Sequence, residues 1–461
     1  MRKVSGLLLT AERRAIAGLA GLYASRMLGL FMVLPVLALY ADELHGATPL
    51  LVGLALGGYG LTQAVLQIPF GLLSDRLGRK PVIAGGMLLF ALGSVVAASA
   101  DTIGGVILGR CLQGSGAVAA AIMALLADQT REQVRTAAMA TIGISIGVSF
   151  AVAMVLGPWL AAAFGLSSLF WFTALLALVG LVVLWRVVPQ APRRLQHRDV
   201  GIDRQQLAKI FTRADLWRLD VSIFTLHLVL MAIFVAVPFR LVEAGIAAEQ
   251  HGLTYLGVMA LAFVGMVPLV IVAEKRQRTK DMSLVAIAMI TLSLVGLALF
   301  TGGWALFIWL LLFFIAFNLL EAMLPSMLSK VAPAGAKGTA MGVYSTSQFL
   351  GAFIGGVLGG WLAQQWGLAG VFVGCATLTG IWWLLMLGMP APAHLASEVI
   401  DLGKHPADTY DALMARFAEV AGVEDVLVVA EERVAYLKVD RRRFDETALE
   451  RLMRSERDDE S

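Results

Sequence analysis

Cysteine is nearly absent. Only Cys111 and Cys375 occur in 461 residues, and both lie inside apolar runs. That excludes a disulfide framework and a thiolate metal centre. Charge is also scarce, at 15% of residues against 59% hydrophobic, too little for the surface of a soluble protein of this size. The apolar runs are continuous and do not alternate, which excludes a membrane β-barrel. No phosphate-cradling G-x-x-x-x-G-K-S/T loop is present, so a nucleotide-driven cycle is not expected. A nucleophile–base–acid set is missing as well. No enzyme activity, metal, cofactor or nucleic-acid partner is expected.

The chain does have apolar segments of about 20 residues, the length that crosses a bilayer. Twelve are expected: 14–40, 49–73, 82–100, 103–127, 138–163, 168–188, 219–243, 252–273, 282–301, 304–329, 338–364 and 368–388. Twenty-three Lys and Arg fall before the first span or in the even-numbered loops, whereas the odd-numbered loops hold Arg240 alone. Positive charge marks the cytoplasmic side, so both termini are expected there. The placement expected is a multi-pass bacterial-type inner (plasma) membrane protein. Glu12, Arg13 and Arg14 precede a first span too long for a cleavable signal.

One loop between two spans stands out: Gly71-Leu-Leu-Ser-Asp75-Arg76-Leu-Gly78-Arg79-Lys80. Topology needs the cations but not the acid or the glycines. This stretch resembles the signature G-x-x-x-D-R/K-x-G-R-R/K of the major facilitator superfamily, and all six constrained positions match. The resemblance implies a two-bundle transporter working by alternating access. In relatives an acid at the end of span four, here Asp128, pairs with the loop arginine, here Arg79. A weak internal repeat agrees: Asp75, Arg76 and Arg79 align with Glu274, Lys275 and Arg278, six spans later. Domains are expected at 14–188 and 219–388 (two six-helix bundles), with a 189–218 linker carrying an amphipathic helix (Leu207, Ile210, Phe211, Trp217).

Ionisable groups inside spans are functional candidates, because charge in a bilayer is costly. Arg26, Arg110, His227 and Glu321 are such groups, and Glu321 is the one acid well inside a span. Desolvation lets such an acid load and release a proton near neutral pH. Arg110 lies in Gly109-Arg-Cys-Leu-Gln-Gly114, similar to a superfamily motif linked to proton coupling. Gln63, Gln67, Asn318, Tyr344 and Gln348 are cavity candidates, Gln63 and Gln67 sharing one helix face. Gly157-Pro158 resembles a kink motif of exporters, although Trp159 follows in place of the usual glycine. Gly53-x-x-x-Gly57 is expected to meet Gly351-x-x-x-Gly355, with Asp75 capping span eleven to close the inner side.

After Pro390-Ala-Pro392 the character becomes soluble-like, and 395–454 reads as βαββα, a small ferredoxin-like domain. The fold expected is therefore an all-α polytopic membrane protein of twelve helices in two six-helix bundles, plus this small α+β domain. The resemblance to the drug:proton antiporter branch implies efflux of small amphipathic compounds against protons. Proton-coupled uptake and a membrane sensor signalling through the last domain remain open. A monomer is expected, with self-association through the last domain as the alternative.

Overall fold

A computed structural model describes residues 9–189, 213–332, 337–390, 395–402, 410–429, 434–440, 443–449 and 451–452. Leu207, Ile210 and Phe211 of the expected amphipathic helix lie outside these residues.

The first half comprises α1 (Thr10–Met32), α2 (Pro49–Leu77), α3 (Arg79–Ala98), α4 (Ile103–Ser115), α5 (Ala119–Gln129), α6 (Glu132–Phe164) and α7 (Leu166–Arg186). The second comprises α8 (Ala214–Glu243), α9 (His251–Lys275), α10 (Thr279–Leu299), α11 (Gly303–Val331) and α12 (Lys337–Leu387). Span four is α4 and α5 together, broken at Gly116–Val118. The α12 segment holds two crossings, divided at Gly367, whose φ of 68° and ψ of −170° leave the helical region. Among the described residues, eleven long apolar helices, one of them double, thus supply twelve crossings. The α8 helix begins at Ala214, inside the expected linker, so Trp217 belongs to a spanning helix.

Starts and stops follow local chemistry. Thr48 caps α2 by accepting from Leu51 N at 3.3 Å, with Pro49 at the first helical position. The α2–α3 turn needs Gly78, whose φ is 101°. At the aligned position of the second half stands Gln277, also at positive φ (54°), so the internal repeat persists in backbone shape where the glycine is lost.

Within the halves, α1 packs on α6 and α7, and α3 on α4 and α7; α12 packs on α8 and α10. Between the halves, α2 packs on α12 and α6 on α9. The glycine pairing differs from expectation. A Cβ on Gly53 would strike the Gly356 carbonyl, and one on Gly57 the backbone of Phe353. Gly351, Gly355 and Gly359 instead lie against the backbones of Phe224, Leu228 and Ala232 of α8. Gly355 and Gly356 are neighbours in sequence and so point about 100° apart on a helix, which puts the two glycine rows on different faces. The α2–α12 contact runs from Gly360–Pro49 to Gly60–Phe349 and lies in the half away from Asp75. The α6–α9 approach at Gly252 and Val155 lies in that same half.

In the last segment, β1 (Leu395–Asp401), α13 (Tyr410–Ala418), β2 (Val423–Val429) and β3 (Val434–Asp440) precede helical residues at 446–449 and 451–452. The sheet order is β1-β3-β2, antiparallel throughout. Tyr410, Leu413 and Phe417 of α13 bury against Ala435, Leu437 and Val439 of β3.

Candidate functional site

At the α2–α3 turn, Arg79 joins two carboxylates. Its Nη1 is 2.5 Å from Asp75 and its Nε 3.3 Å from Asp128. Arg79 also donates to Ser74 Oγ at 2.7 Å, which fixes the guanidinium from below. Lys80 donates to the Val188 carbonyl at 2.6 Å and lies over the Trp185 ring. Asp75 is 45% exposed and pairs within its own bundle, and among the described residues no capping contact joins it to the α12 terminus. Gly71 would meet only Ala120 of its own bundle.

The two candidate arginines of the first half, Arg26 and Arg110, are both buried within it. Arg26 donates to Gln63, and its guanidinium stands 5.7 Å from the Phe90 ring centre. Its Nε and Nη1 have no partner among the described residues. Gln63 and Gln67 are buried too, and Gln67 Oε1 is unpartnered. Both glutamines therefore sit at helix contacts, not at an open wall. Arg110 donates to the carbonyls of Ala55 and Leu56 at 3.2 and 3.3 Å and to Gln113 at 3.0 Å. It lies 4.6 Å from the Tyr59 ring centre, the aromatic face compensating for burial. Gly157 lets α6 approach Met32, at the end of α1, with Pro158 inside the helix.

The second half gathers the remaining candidates. Gln348 of α12 places its amide nitrogen 2.8 Å from His227 Nε2 and 3.4 Å from Glu321 Oε1. His227 Nε2 and Glu321 Oε2 are 3.9 Å apart, with the Glu321 side chain 37% and His227 14% exposed. His227 Nδ1 faces the Ile223 carbonyl at 3.3 Å. If Nδ1 carries the proton, it donates to Ile223 and Nε2 accepts from Gln348. The Phe317 ring stands 5.9 Å from His227 and stacks toward Phe150 of α6, 6.4 Å away. Tyr344 is buried, and among the described residues neither its hydroxyl nor Asn318 Nδ2 has a hydrogen-bond partner.

Two acids were not anticipated. Glu12 is buried and takes Arg131 at 2.8 and 3.0 Å, tying α1 to the start of α6. Asp220 of α8 has a buried, unpartnered Oδ1. Asp220 is at the edge of an apolar run in the sequence, and the residue as a whole is half-buried.

A Major Facilitator Superfamily model matches residues 19–356 and 245–421, and a YajR YAM domain model matches residues 400–455. The inner membrane transport protein YajR of Escherichia coli K12 is 47% identical over 444 residues, which is 96% of this chain and 98% of that protein. The chain belongs to the major facilitator superfamily. It is a multi-pass membrane transporter of that superfamily, not an enzyme, with a YAM-type C-terminal domain. The multidrug resistance protein MdtH of Yersinia enterocolitica is 26% identical, covering 77% of this chain and 91% of its own. The crystal structure of a D-xylose–proton symporter shares the fold, with a TM-score of 0.65 at 17% identity, covering 83% of this chain and 98% of that one.

Proposed function

We propose that the protein is a proton-coupled secondary transporter of the inner membrane that exports small amphipathic compounds by alternating access. The observation that carries this reading is the Glu321–Gln348–His227 cluster. It joins three spanning helices and leaves a carboxylate partly exposed. An acid enclosed by apolar helices changes its hydration greatly with protonation, and so can set the balance between two bundle arrangements. Neutral His227 accepts from Gln348. Protonation at Nε2 turns that acceptor into a donor, breaks this bond and leaves Glu321 as the partner. Proton arrival would thus rearrange α8, α11 and α12 together.

The signature loop serves as the second element. In the opposite bundle arrangement the Asp75–Arg79–Asp128 cluster would lie near the α12 terminus and hold the inner side closed. Export is favoured by Gly157-Pro158 and by the likeness to MdtH, a multidrug resistance protein. Driving one proton through 100 mV supplies about 2.3 kcal/mol, more than the ~0–1 kcal/mol of a partly exposed ion pair.

The test is the internal pH of inverted vesicles, energised and challenged with amphipathic compounds, for wild type and Glu321→Gln. Compound-evoked proton movement is expected in wild type and not in the variant. Movement that persists in the variant would remove Glu321 from the role, and flux in the opposite direction would replace export with symport.

A further inference from the structure

Among the described residues, aromatic side chains join the two halves at two places. Tyr59 of α2 meets Phe349 of α12, with ring centres 6.4 Å apart, where Gly60 already brings the two backbones together. The second meeting is made by side chains. The Phe150 ring of α6 stands 6.1 Å from Phe314 and 6.4 Å from Phe317, both on α11 of the other half. Phe31 of α1 packs edge-on behind Phe150 at 5.1 Å. Phe317 in turn lies 5.9 Å from the His227 ring. A row of rings thus runs from the first half to the Glu321–Gln348–His227 cluster.

Helix register gives the level of this row. Val155, which meets Gly252 in the half away from Asp75, lies five residues after Phe150, so Phe150 stands about 7.5 Å nearer the Asp75 side. On α11, Phe317 and Phe314 precede Glu321 by four and seven residues and share its face. They lie on the side of Glu321 away from Asp75, because α11 begins at Gly303 beside the Ala244 carbonyl, at the same end as Gly252. Burial changes at this level. Phe150, Phe314 and Phe317 are buried, and so is every residue of α8 from Leu228 to Pro238. One turn further, the Glu321 side chain is 37% exposed. The cluster is therefore open toward the Asp75 side and shut by rings on the other.

We propose that Phe150, held by Phe31, is the plug that closes the transport path between Glu321 and the side away from Asp75. This rests on the proton-coupled reading above and adds the residue that keeps Glu321 from opening to both sides at once. Coupling demands such a seal, since a site open to both sides conducts protons without moving a compound. An aromatic ring suits the task. It fills the space between α6 and α11 with apolar surface, and its edge-on and tilted contacts hold it in place. When the halves part, Phe150 leaves Phe314 and Phe317 and stays with Phe31 of its own half.

The test is passive proton leak. Full-length protein in liposomes, with a pH-sensitive dye inside and no compound added, is given a pH gradient whose decay is followed. Wild type is expected to hold the gradient and Phe150→Ala to lose it. Phe150→Tyr keeps the ring and is expected to hold it. Phe170→Ala removes a buried ring of the first half outside this row. It is expected to lower thermal stability yet hold the gradient, which separates a plug from packing in general. If Phe150→Ala does not fold, Phe150→Val is read in its place. A gradient held by the folded variant would overturn the plug, as would an equal leak in Phe170→Ala. Adding Glu321→Gln to Phe150→Ala separates the two readings. Loss of the leak supports the plug with Glu321 as the proton site, whereas a persisting leak keeps the plug and removes Glu321 from that role.

Discussion

Gly53 and Gly356 meet backbone to backbone, so that neither position has room for a Cβ. They belong to opposite bundles and lie in the half away from Asp75. This contact belongs to one arrangement of the transporter and must part in the other. Gly356→Leu is expected to oppose the present arrangement by about 1–3 kcal/mol through overpacking. Cysteines placed on the Asp75 side should then label more slowly, with the protein still folded. Gly351→Leu drives the side chain into Phe224 of the same bundle and should instead lower thermal stability. Equal labelling in wild type and Gly356→Leu would contradict this division.

The two halves turn at Gly78 (φ 101°) and Gln277 (φ 54°). Gly78→Ala should cost about 1–3 kcal/mol, because an L side chain is strained there. Gln277→Gly removes the same kind of strain and should be neutral or stabilising, by up to about 1 kcal/mol. Thermal unfolding in detergent, followed by tryptophan fluorescence, reads both.

Arg79 serves two acids with a fixed fork of donors, Asp75 at 2.5 Å and Asp128 at 3.3 Å. Arg79→Lys keeps the charge but offers a single ammonium, and should lower transport nearly as far as Arg79→Ala. Asp75→Asn should also impair cycling, with little loss of stability, since its carboxylate is 45% exposed and such pairs contribute about 0–1 kcal/mol. Transport assays on matched amounts of inserted protein distinguish these outcomes. Full activity in Arg79→Lys would show that charge alone suffices.

In the C-terminal domain, Asp445 Oδ1 accepts from Ala448 N at 2.9 Å at the start of the last helix. The Ala448 N–H holds the Asp445 carboxyl below the usual carboxylate range. A group whose folded value is lowered contributes stability that is present above its unfolded value and lost as pH falls through the folded one. The domain should therefore become more susceptible to limited proteolysis below about pH 4, the ordinary carboxylate range, and Asp445→Asn should flatten that dependence.

Much of this organisation is legible from residue types. The signature loop announces itself because acid, cations and glycines recur at fixed spacing, and Glu321 because an acid within an apolar run has no cheap explanation. What fails is anything decided by rotation. Gly351 and Gly355 have the same spacing as Gly53 and Gly57, yet they face α8, because a one-residue offset turns a helical position by about 100°. Arg26 is a functional candidate by its depth in a span, but what surrounds it depends on the neighbours, here Gln63 and Phe90. Asp220 is the converse case, an acid at the edge of an apolar run whose Oδ1 is nonetheless buried.

The first crossing of α12 carries two glycine rows with different obligations. The row at Gly351, Gly355 and Gly359 is fixed against α8 of its own bundle, while Gly356 and Gly360 touch α2 of the other. The first row behaves as a weld and the second as a bearing surface. Glycines on the bearing leave no side-chain interlock to break, so the two halves can separate there without unpicking a packed core. The barrier to conformational change is then set by aromatic contacts at its end, such as Tyr59 against Phe349. Tuning turnover in this protein should mean altering those end contacts and leaving the glycine rows alone.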